Sequence, residues 1–210
     1  MKPLRIAVTK GRLEQKTIEL FEKMGCDCSE VRNKGRRLIL PVPDLGAEIV
    51  LAKAQDVITY VEHGVCDIGI VGKDTIMESG GSFFEVLDLG FGKCRFAIAG
   101  QGEEPRVEEI KVVASKYPNV TRKYFESRLM DIDVVKIEGS VELAPLLCLA
   151  DAIVDIVETG TTLKENGLYV WQSVADISAR VIVNTAAMKL RKQEMESIFN
   201  RAEAVINAGN

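Results

Sequence analysis

The feature that most restricts this chain is an alternation. Short apolar runs end on a glycine or a charged turn, and each is followed by a segment with helical periodicity. Leu4–Thr9 reads as a strand closed by Lys10-Gly11. Leu13, Thr17, Leu20, Phe21 and Met24 then share one helical face, and Gly25 ends that helix. Arg37–Val42 and Ala47–Ala52 read as strands around a Pro43-Asp44-Leu45-Gly46 turn. Asp56–His63 predicts a helix ended by Gly64, Asp67–Val71 a strand ended by Gly72, and Asp74 a helix N-cap. Arg95–Ala99, Lys111–Ala114, Val134–Ile137 and Ala152–Val157 are further strands, with helices over Asn119–Met130 and Val141–Ala150. Tyr169–Asn184 is mostly extended, and Leu190, Ile198, Phe199, Ala202, Val205 and Ile206 line one face of a closing helix. Such alternation implies an α/β fold with largely parallel sheets.

Two segments repeat a pattern. Asp67-Ile-Gly-Ile-Val-Gly72 and Asp155-Ile-Val-Glu-Thr-Gly160 are each a strand that opens Asp-Ile, a glycine five residues on, and then a helix start. The plain alternative is chance, since any α/β chain yields such pairs. Read as a duplication, it gives two α/β lobes, each ending in a glycine turn and a helix N-terminus. Ligands of parallel sheets sit beyond the carboxyl ends of the strands, so facing lobes would share one cleft. The chain is expected to cross between lobes near Gly90–Lys93 and to return near Ile177–Arg180. Lobe I is then 1–91 plus 180–210, and lobe II is 92–179.

A length of 210 residues with 47% hydrophobic and 28% charged residues supports a buried core and excludes disordered and fibrous classes. The net charge of −4 argues against a nucleic-acid or membrane-surface partner while leaving room for small basic pockets. No apolar run approaches the ~18 residues of a membrane span, and the first residues lack a cleavage site, so a cytoplasmic location is expected. The five cysteines, Cys26, Cys28, Cys66, Cys94 and Cys148, are odd in number and lie mostly in apolar runs, which suggests buried reduced thiols and no zinc site. His63 is the only histidine and precedes a helix-ending glycine, where it suits the carbonyl dipole better than catalysis. Chemistry here must use carboxylates, arginine, lysine and backbone amides.

The strongest chemical segment is Asp155-Ile-Val-Glu158-Thr159-Gly160-Thr161-Thr162. Gly160 lets the backbone approach a ligand. Thr159, Thr161 and Thr162 offer hydroxyl and N–H donors to phosphate oxygens. Asp155 and Glu158 suit ribose hydroxyls, so the whole reads as a 5-phosphoribosyl cradle whose diphosphate brings Mg²⁺. The alternative is an ordinary Thr-Gly turn. A second constellation, Thr9-Lys10-Gly11-Arg12, sets two cations about a glycine nest where a helix begins, and Arg12 can grip a diphosphate as a fork. A third, Arg32, Lys34, Arg36 and Arg37, is a solvated rim unless Arg36 clamps a leaving diphosphate. Lys53 follows the Ala47–Ala52 strand, and Gly72-Lys73-Asp74-Thr75 follows another. Trp171 reads as core or lobe interface.

Glu138-Gly-Ser-Val-Glu142 through Asp151-Ala-Ile-Val-Asp155-Ile-Val-Glu158-Thr-Gly-Thr-Thr-Leu163 to Gly167 closely resembles the signature of the ATP phosphoribosyltransferase family. Lys10-Gly11-Arg12, Arg36-Arg37-Leu38-Ile39, Asp56-Val57 with Tyr60-Val61-Glu62, and Asp67–Asp74 resemble its other motifs. Cys148 stands where the family usually has glycine, and Ile58 where proline is common. The resemblance is to the short form, a catalytic subunit of histidine biosynthesis working with a regulatory protein related to histidyl-tRNA synthetase, with the catalytic chains as dimers. It implies a two-lobed fold like the type II periplasmic binding proteins, with the active site in the cleft between lobes. It also implies transfer of phosphoribosyl from phosphoribosyl diphosphate to N1 of the ATP adenine, with release of diphosphate and with Mg²⁺ on the diphosphate. Arg12, Arg36 and Lys10 are then expected to act on the diphosphate. Thr159, Gly160, Thr161 and Thr162 hold the 5-phosphate, and Asp155 and Glu158 the ribose. Glu142 steadies the metal or loop, Gly11 lends backbone, and Lys53 and Asp74 lie toward ATP. Two rivals stand beside this: a non-catalytic two-lobed binding or sensor module, and a phosphoribosyltransferase for another base.

Overall fold

In the computed structural model, which describes residues 2–106 and 109–208, the apolar runs become strands of two separate sheets. The chain divides into two compact units, Met1–Gly92 with Ser178–Asn210, and Lys93–Ile177. The first unit runs β1 (Leu4–Thr9), α1 (Arg12–Lys23), α2 (Ser29–Arg32), β2 (Ile39–Val42), a tight turn over Pro43–Leu45, β3 (Ala47–Ala52), α3 (Ala54–Glu62), β4 (Ile68–Gly72), α4 (Lys73–Ser79) and β5 (Phe83–Asp88). The second runs β6 (Cys94–Gln101), β7 (Val112–Ser115), α5 (Pro118–Glu126), β8 (Asp133–Lys136), α6 (Leu143–Leu146), β9 (Ala152–Val157), α7 (Thr161–Glu165) and β10 (Leu168–Ile177). The chain then returns to the first unit with β11 (Ala179–Asn184), α8 (Thr185–Leu190) and α9 (Lys192–Ala208).

The first sheet has the order β2-β3-β1-β4-β11-β5 and the second β10-β6-β9-β7-β8. In the first, β1 is parallel to β3 and β4, whereas β11 is antiparallel to β4 and β5. In the second, β7 is parallel to β8 and β9, whereas β6 is antiparallel to β9 and β10. Strand for strand, β8-β7-β9-β6-β10 repeats the directions of β3-β1-β4-β11-β5. The repeat glimpsed in two glycine turns therefore extends through five strands of each sheet.

Alternation along the strands explains the layers. Leu4, Ile6 and Val8 of β1 pack with Phe21 of α1 and Ile198 of α9 on one face. Ala7 packs with Val57 and Val61 of α3 on the other. Each such fully buried aliphatic side chain contributes roughly 1.5–3 kcal/mol. In the second unit Ala97, Ala99, Ala114, Ile153 and Val157 form the sheet side of a core closed by Val141, Ala144 and Leu163.

Five sequence expectations shift. α5 stops at Glu126, not Met130, and α6 covers only Leu143–Leu146 of the expected Val141–Ala150. Both helices end by the same device. The Met130 N–H bonds back to the Phe125 carbonyl and the Leu149 N–H to the Ala144 carbonyl, with Leu129 at φ 59° and Cys148 at φ 56° between. Asp74 is not the N-cap of α4; Gly72 holds that position. β5 was not foreseen, because Phe83–Asp88 does not alternate cleanly between apolar and polar residues. Leu190 ends α8 and is 83% exposed, so it is off the buried face of the closing helix.

Candidate active site

In the second unit the parallel strands β7, β8 and β9 end at Ser115, Lys136 and Val157. The β7–β9 register pairs Ser115 with Val154. The buried Ser115 hydroxyl donates to the Val154 carbonyl at 2.6 Å and accepts from the Tyr117 N–H at 2.9 Å. That clamp sets Lys116 beside Asp155, the next residue along each strand. The Asp155 carboxylate accepts from the Ile156 N–H at 2.8 Å. Burial pushes its pKa above the usual carboxylate range. The Ile156 hydrogen bond opposes that rise, the charge of Glu142 adds to it, and Lys116 opposes it. The structure thus brings Glu142, half-buried just before α6, into the electrostatic field of Asp155.

Beyond β9 the chain turns at Gly160, φ 79° and ψ 4°, a left-handed conformation that favours glycine. The Thr159 and Thr161 hydroxyls lie 3.0 Å apart, and the Thr161 N–H donates to the Thr159 hydroxyl at 3.4 Å. Buried Leu163 anchors the turn, while Glu158, Thr159, Thr161 and Thr162 are exposed. The expected donors and acids are therefore presented together at one sheet end. Lys116 belongs to the same end and was missed. The available signal was its place directly after a parallel strand.

In the first unit β1, β3 and β4 end at Thr9, Ala52 and Gly72. The Thr9 hydroxyl donates to the Ile70 carbonyl at 3.0 Å, and the Lys10 N–H to the Ala52 carbonyl at 2.9 Å. Gly11 at φ 92° turns the chain into α1, and its N–H donates to the Glu14 carboxylate at 3.3 Å. Arg12 is then the exposed first residue of that helix.

The basic loop ahead of β2 is not one uniform rim. Arg32 pairs with Glu22, Lys34 with the 7%-exposed Glu14, and Arg37 with Glu30. Arg36 is exposed and, among the described residues, has no ion-pair partner. Lys10 and Lys53 share that condition. They follow hydrogen-bonded ends of neighbouring strands, and Arg36 lies two residues before Leu38, whose carbonyl takes the Leu51 N–H at 2.8 Å. Three cations are thus left for a ligand at one sheet end. Lys73 is committed to Glu85, which also holds Arg180 at 3.3 Å. The Asp74 carboxylate folds back over Gly72, where a Cβ would lie 2.0 Å from Oδ1, and accepts from the Thr75 hydroxyl at 3.3 Å.

His63 is the exposed C-cap of α3. Burial pushes the Cys28 and Cys66 thiols up to about 11, which leaves them poor nucleophiles. The expectation of buried thiols fails at Cys148, which is exposed. Trp171 is half-buried, with its ring over Gly100 and Nε1 donating to the Gly102 carbonyl at 3.2 Å. Among the described residues no helix is long and apolar enough to cross a membrane.

Comparison with known proteins identifies the family. The family model HisG, described as ATP phosphoribosyltransferase, matches residues 53–204. An ATP phosphoribosyltransferase of Clostridium kluyveri is 56% identical over 206 residues, covering 97% of this chain and 94% of that protein. The HisG:HisZ ATP phosphoribosyl transferase complex from Thermotoga maritima contains a chain that superposes with a TM-score of 0.82 at 33% identity, covering 99% of both chains. The periplasmic aliphatic sulphonate binding protein SsuA from Escherichia coli shares the fold alone, with a TM-score of 0.60 at 11% identity over 98% of this chain and 73% of that one.

Proposed function

The chain belongs to the ATP phosphoribosyltransferase family, phosphoribosyl-transferring enzymes of histidine biosynthesis, and from that premise we propose how its residues divide the work. The carrying observation is the division of charge between two sheet ends. Lys10, Arg36 and Lys53, which have no ion-pair partner among the described residues, lie at one, and Asp155 with the hydroxyl-lined Gly160 turn forms the other.

In this reading Thr159, Gly160, Thr161 and Thr162 bind the 5-phosphate of phosphoribosyl diphosphate through hydroxyls and N–H groups. Asp155 and Glu158 accept hydrogen bonds from the ribose hydroxyls, and Glu142 steadies the metal or the loop. The lone pair of adenine N1 forms the bond to ribose C1. The bond from C1 to the diphosphate oxygen breaks, and its electron pair leaves on the diphosphate. Adenine N1 is already unprotonated, so no strong base is required. Positive charge develops on the ribose ring and negative charge on the leaving group. Arg12, Arg36 and Lys10 neutralise the latter, which makes catalysis a matter of positioning and electrostatics. Gly11 lends its backbone to the same anion site, and Lys53 and Asp74 bind toward ATP. Mg²⁺ arrives as part of the diphosphate substrate. Among the described residues no three His, Cys, Asp or Glu side chains converge as a metal site of the protein's own.

The likeness to the Thermotoga maritima complex supports a hetero-oligomer with a HisZ-type subunit. In this reading that subunit is regulatory, the catalytic chains are dimers, and the enzyme works in the cytoplasm. Diphosphate release from ATP and phosphoribosyl diphosphate, assayed with and without that subunit, tests the reading. Release that depends on both substrates is expected. A folded chain that releases none in either condition defeats it.

A further inference from the structure

The second unit also holds a cavity of about 330 Å³, at the small end of the ~300–1,000 Å³ range of ligand pockets. Its floor is apolar, with Ile98 of β6, Phe125 of α5 and the Trp171 indole of β10. Because the Trp171 Nε1 is spent on the Gly102 carbonyl, the ring presents only its apolar surface. The polar lining is ordered by its own contacts. The Tyr124 hydroxyl donates to Gln172 Oε1 at 2.9 Å, and Gln172 Nε2 donates in turn to the Glu104 carboxylate, which fixes one negative charge on the wall. The Arg128 guanidinium lies 4.2 Å from the centre of the Tyr124 ring, which fixes one positive charge.

Glu104 and Arg128 line the same cavity with opposite charge, yet they do not pair with each other. Among the described residues neither has any ion-pair partner. Two opposite charges held apart over an apolar floor complement a molecule that carries both. We propose that this cavity binds a free α-amino acid with a planar apolar side chain. Its ammonium group lies at Glu104, its carboxylate at the outer N–H edge of Arg128, and its ring against Trp171 and Phe125. Neither end of the ligand duplicates a contact assigned to ATP or phosphoribosyl diphosphate.

The sole tryptophan of the chain is Trp171, so intrinsic fluorescence reads this cavity directly. The full chain is titrated with L-phenylalanine, and with phenethylamine and hydrocinnamate, which each lack one of the two charges. Calorimetry is run in parallel in case the emission is insensitive. Saturable binding of L-phenylalanine is expected, with each analogue about tenfold weaker or more, the scale of one lost charge-assisted hydrogen bond. Arg128→Gln is expected to reduce L-phenylalanine affinity to that of phenethylamine. The proposal is overturned by the absence of both a saturable emission change and heat, by analogues that bind as tightly as the amino acid, or by unchanged binding in Arg128→Gln. The analogue series uses the unaltered chain, so it decides even if that variant folds poorly.

Discussion

The turn after β4 and the turn after β9 look alike in sequence and are built on different physics. Gly72 sits at φ −70° and ψ 145°, extended backbone open to any residue. It is small because the Asp74 carboxylate folds onto it, so that a Cβ would lie 2.0 Å from Oδ1. Gly160 sits at φ 79°, where a Cβ would meet nothing closer than Val157 Cγ1 at 3.7 Å. One glycine makes room for a side chain; the other makes a bend. The charges differ in the same sense, since among the described residues the first sheet end leaves Lys10, Arg36 and Lys53 without ion pairs and the second gathers Asp155, Glu142 and three threonines. A repeated strand order therefore fixes where a site can sit and leaves its chemistry to the residues at the strand ends.

The largest effect should come from separating Arg36 from its neighbour. Arg36→Ala removes a cation that has no ion-pair partner among the described residues, and kcat should fall by roughly 10²–10³, equivalent to about 2.7–4 kcal/mol, if the charge acts on the leaving diphosphate. Arg37 is already held by Glu30 on the surface, and Arg37→Ala should change kcat less than about threefold. Steady-state kinetics decide. Equal losses would show that the loop works as a diffuse rim, and a raised KM with unchanged kcat would assign Arg36 to uniform binding.

Asp155→Asn probes the opposite end. Loss of hydrogen bonds to a charged acceptor should raise the KM for phosphoribosyl diphosphate about tenfold to a hundredfold and leave that for ATP nearly unchanged. Stability should move the other way. The carboxyl of Asp155 titrates above its ordinary range, chiefly through burial, so the native state holds this proton more tightly than the unfolded chain. Its ionisation therefore costs stability. The cost is absent below the unfolded value of about 3.9 and complete above the native value. Asp155→Asn should raise Tm at neutral pH, and the gain should vanish in acid. A Tm lowered at neutral pH would mark Asp155 as a structural residue.

The two glycines should respond unequally. Gly160→Ala forces a side chain into the left-handed region and should destabilise the fold by about 1 kcal/mol, read as a lower denaturant midpoint at constant slope. Gly72→Ala displaces only the end of the Asp74 side chain, so its stability should stay within about 0.5 kcal/mol while ATP affinity falls. The reverse order would mean that the turns share one mechanism after all.

Periodicity made β1, β3, β4, β9 and α1 legible, because their apolar faces repeat with the spacing their burial demands. The Asp155–Thr162 turn was legible because its residue types suit only a few ligands. Ion pairing was not, since Arg36 and Arg37 are adjacent and identical in type, and only the fold places Glu30 against one of them. Lys116 escaped for a related reason. Its place directly after a strand was visible, but the β7–β9 register that sets it beside Asp155 is a long-range pairing. Phe83–Asp88 hid as a strand because it is half-exposed on both faces at a sheet edge.

Helix ends supply the smallest and cleanest test. α1, α5 and α6 each close with a pair of hydrogen bonds running back into the last turn, about a left-handed residue: Gly25 at φ 82°, Leu129 at φ 59° and Cys148 at φ 56°. Only the first is the residue the geometry favours. The glycine usual in the family at position 148 thus answers a backbone requirement that Cys148 meets under strain. Leu129 is 97% exposed and Cys148 is exposed, so replacing either with glycine gives up little packing. The strain relieved, roughly 1–2 kcal/mol, exceeds the entropy of ~0.4–1 kcal/mol that glycine adds to the unfolded chain. Leu129→Gly and Cys148→Gly should each stabilise the second unit by about 0.5 kcal/mol, with Gly25→Ala moving the first unit the opposite way by a similar amount. A denaturant midpoint that falls in both glycine variants would show that these helix ends are held by side-chain contacts and not by backbone geometry.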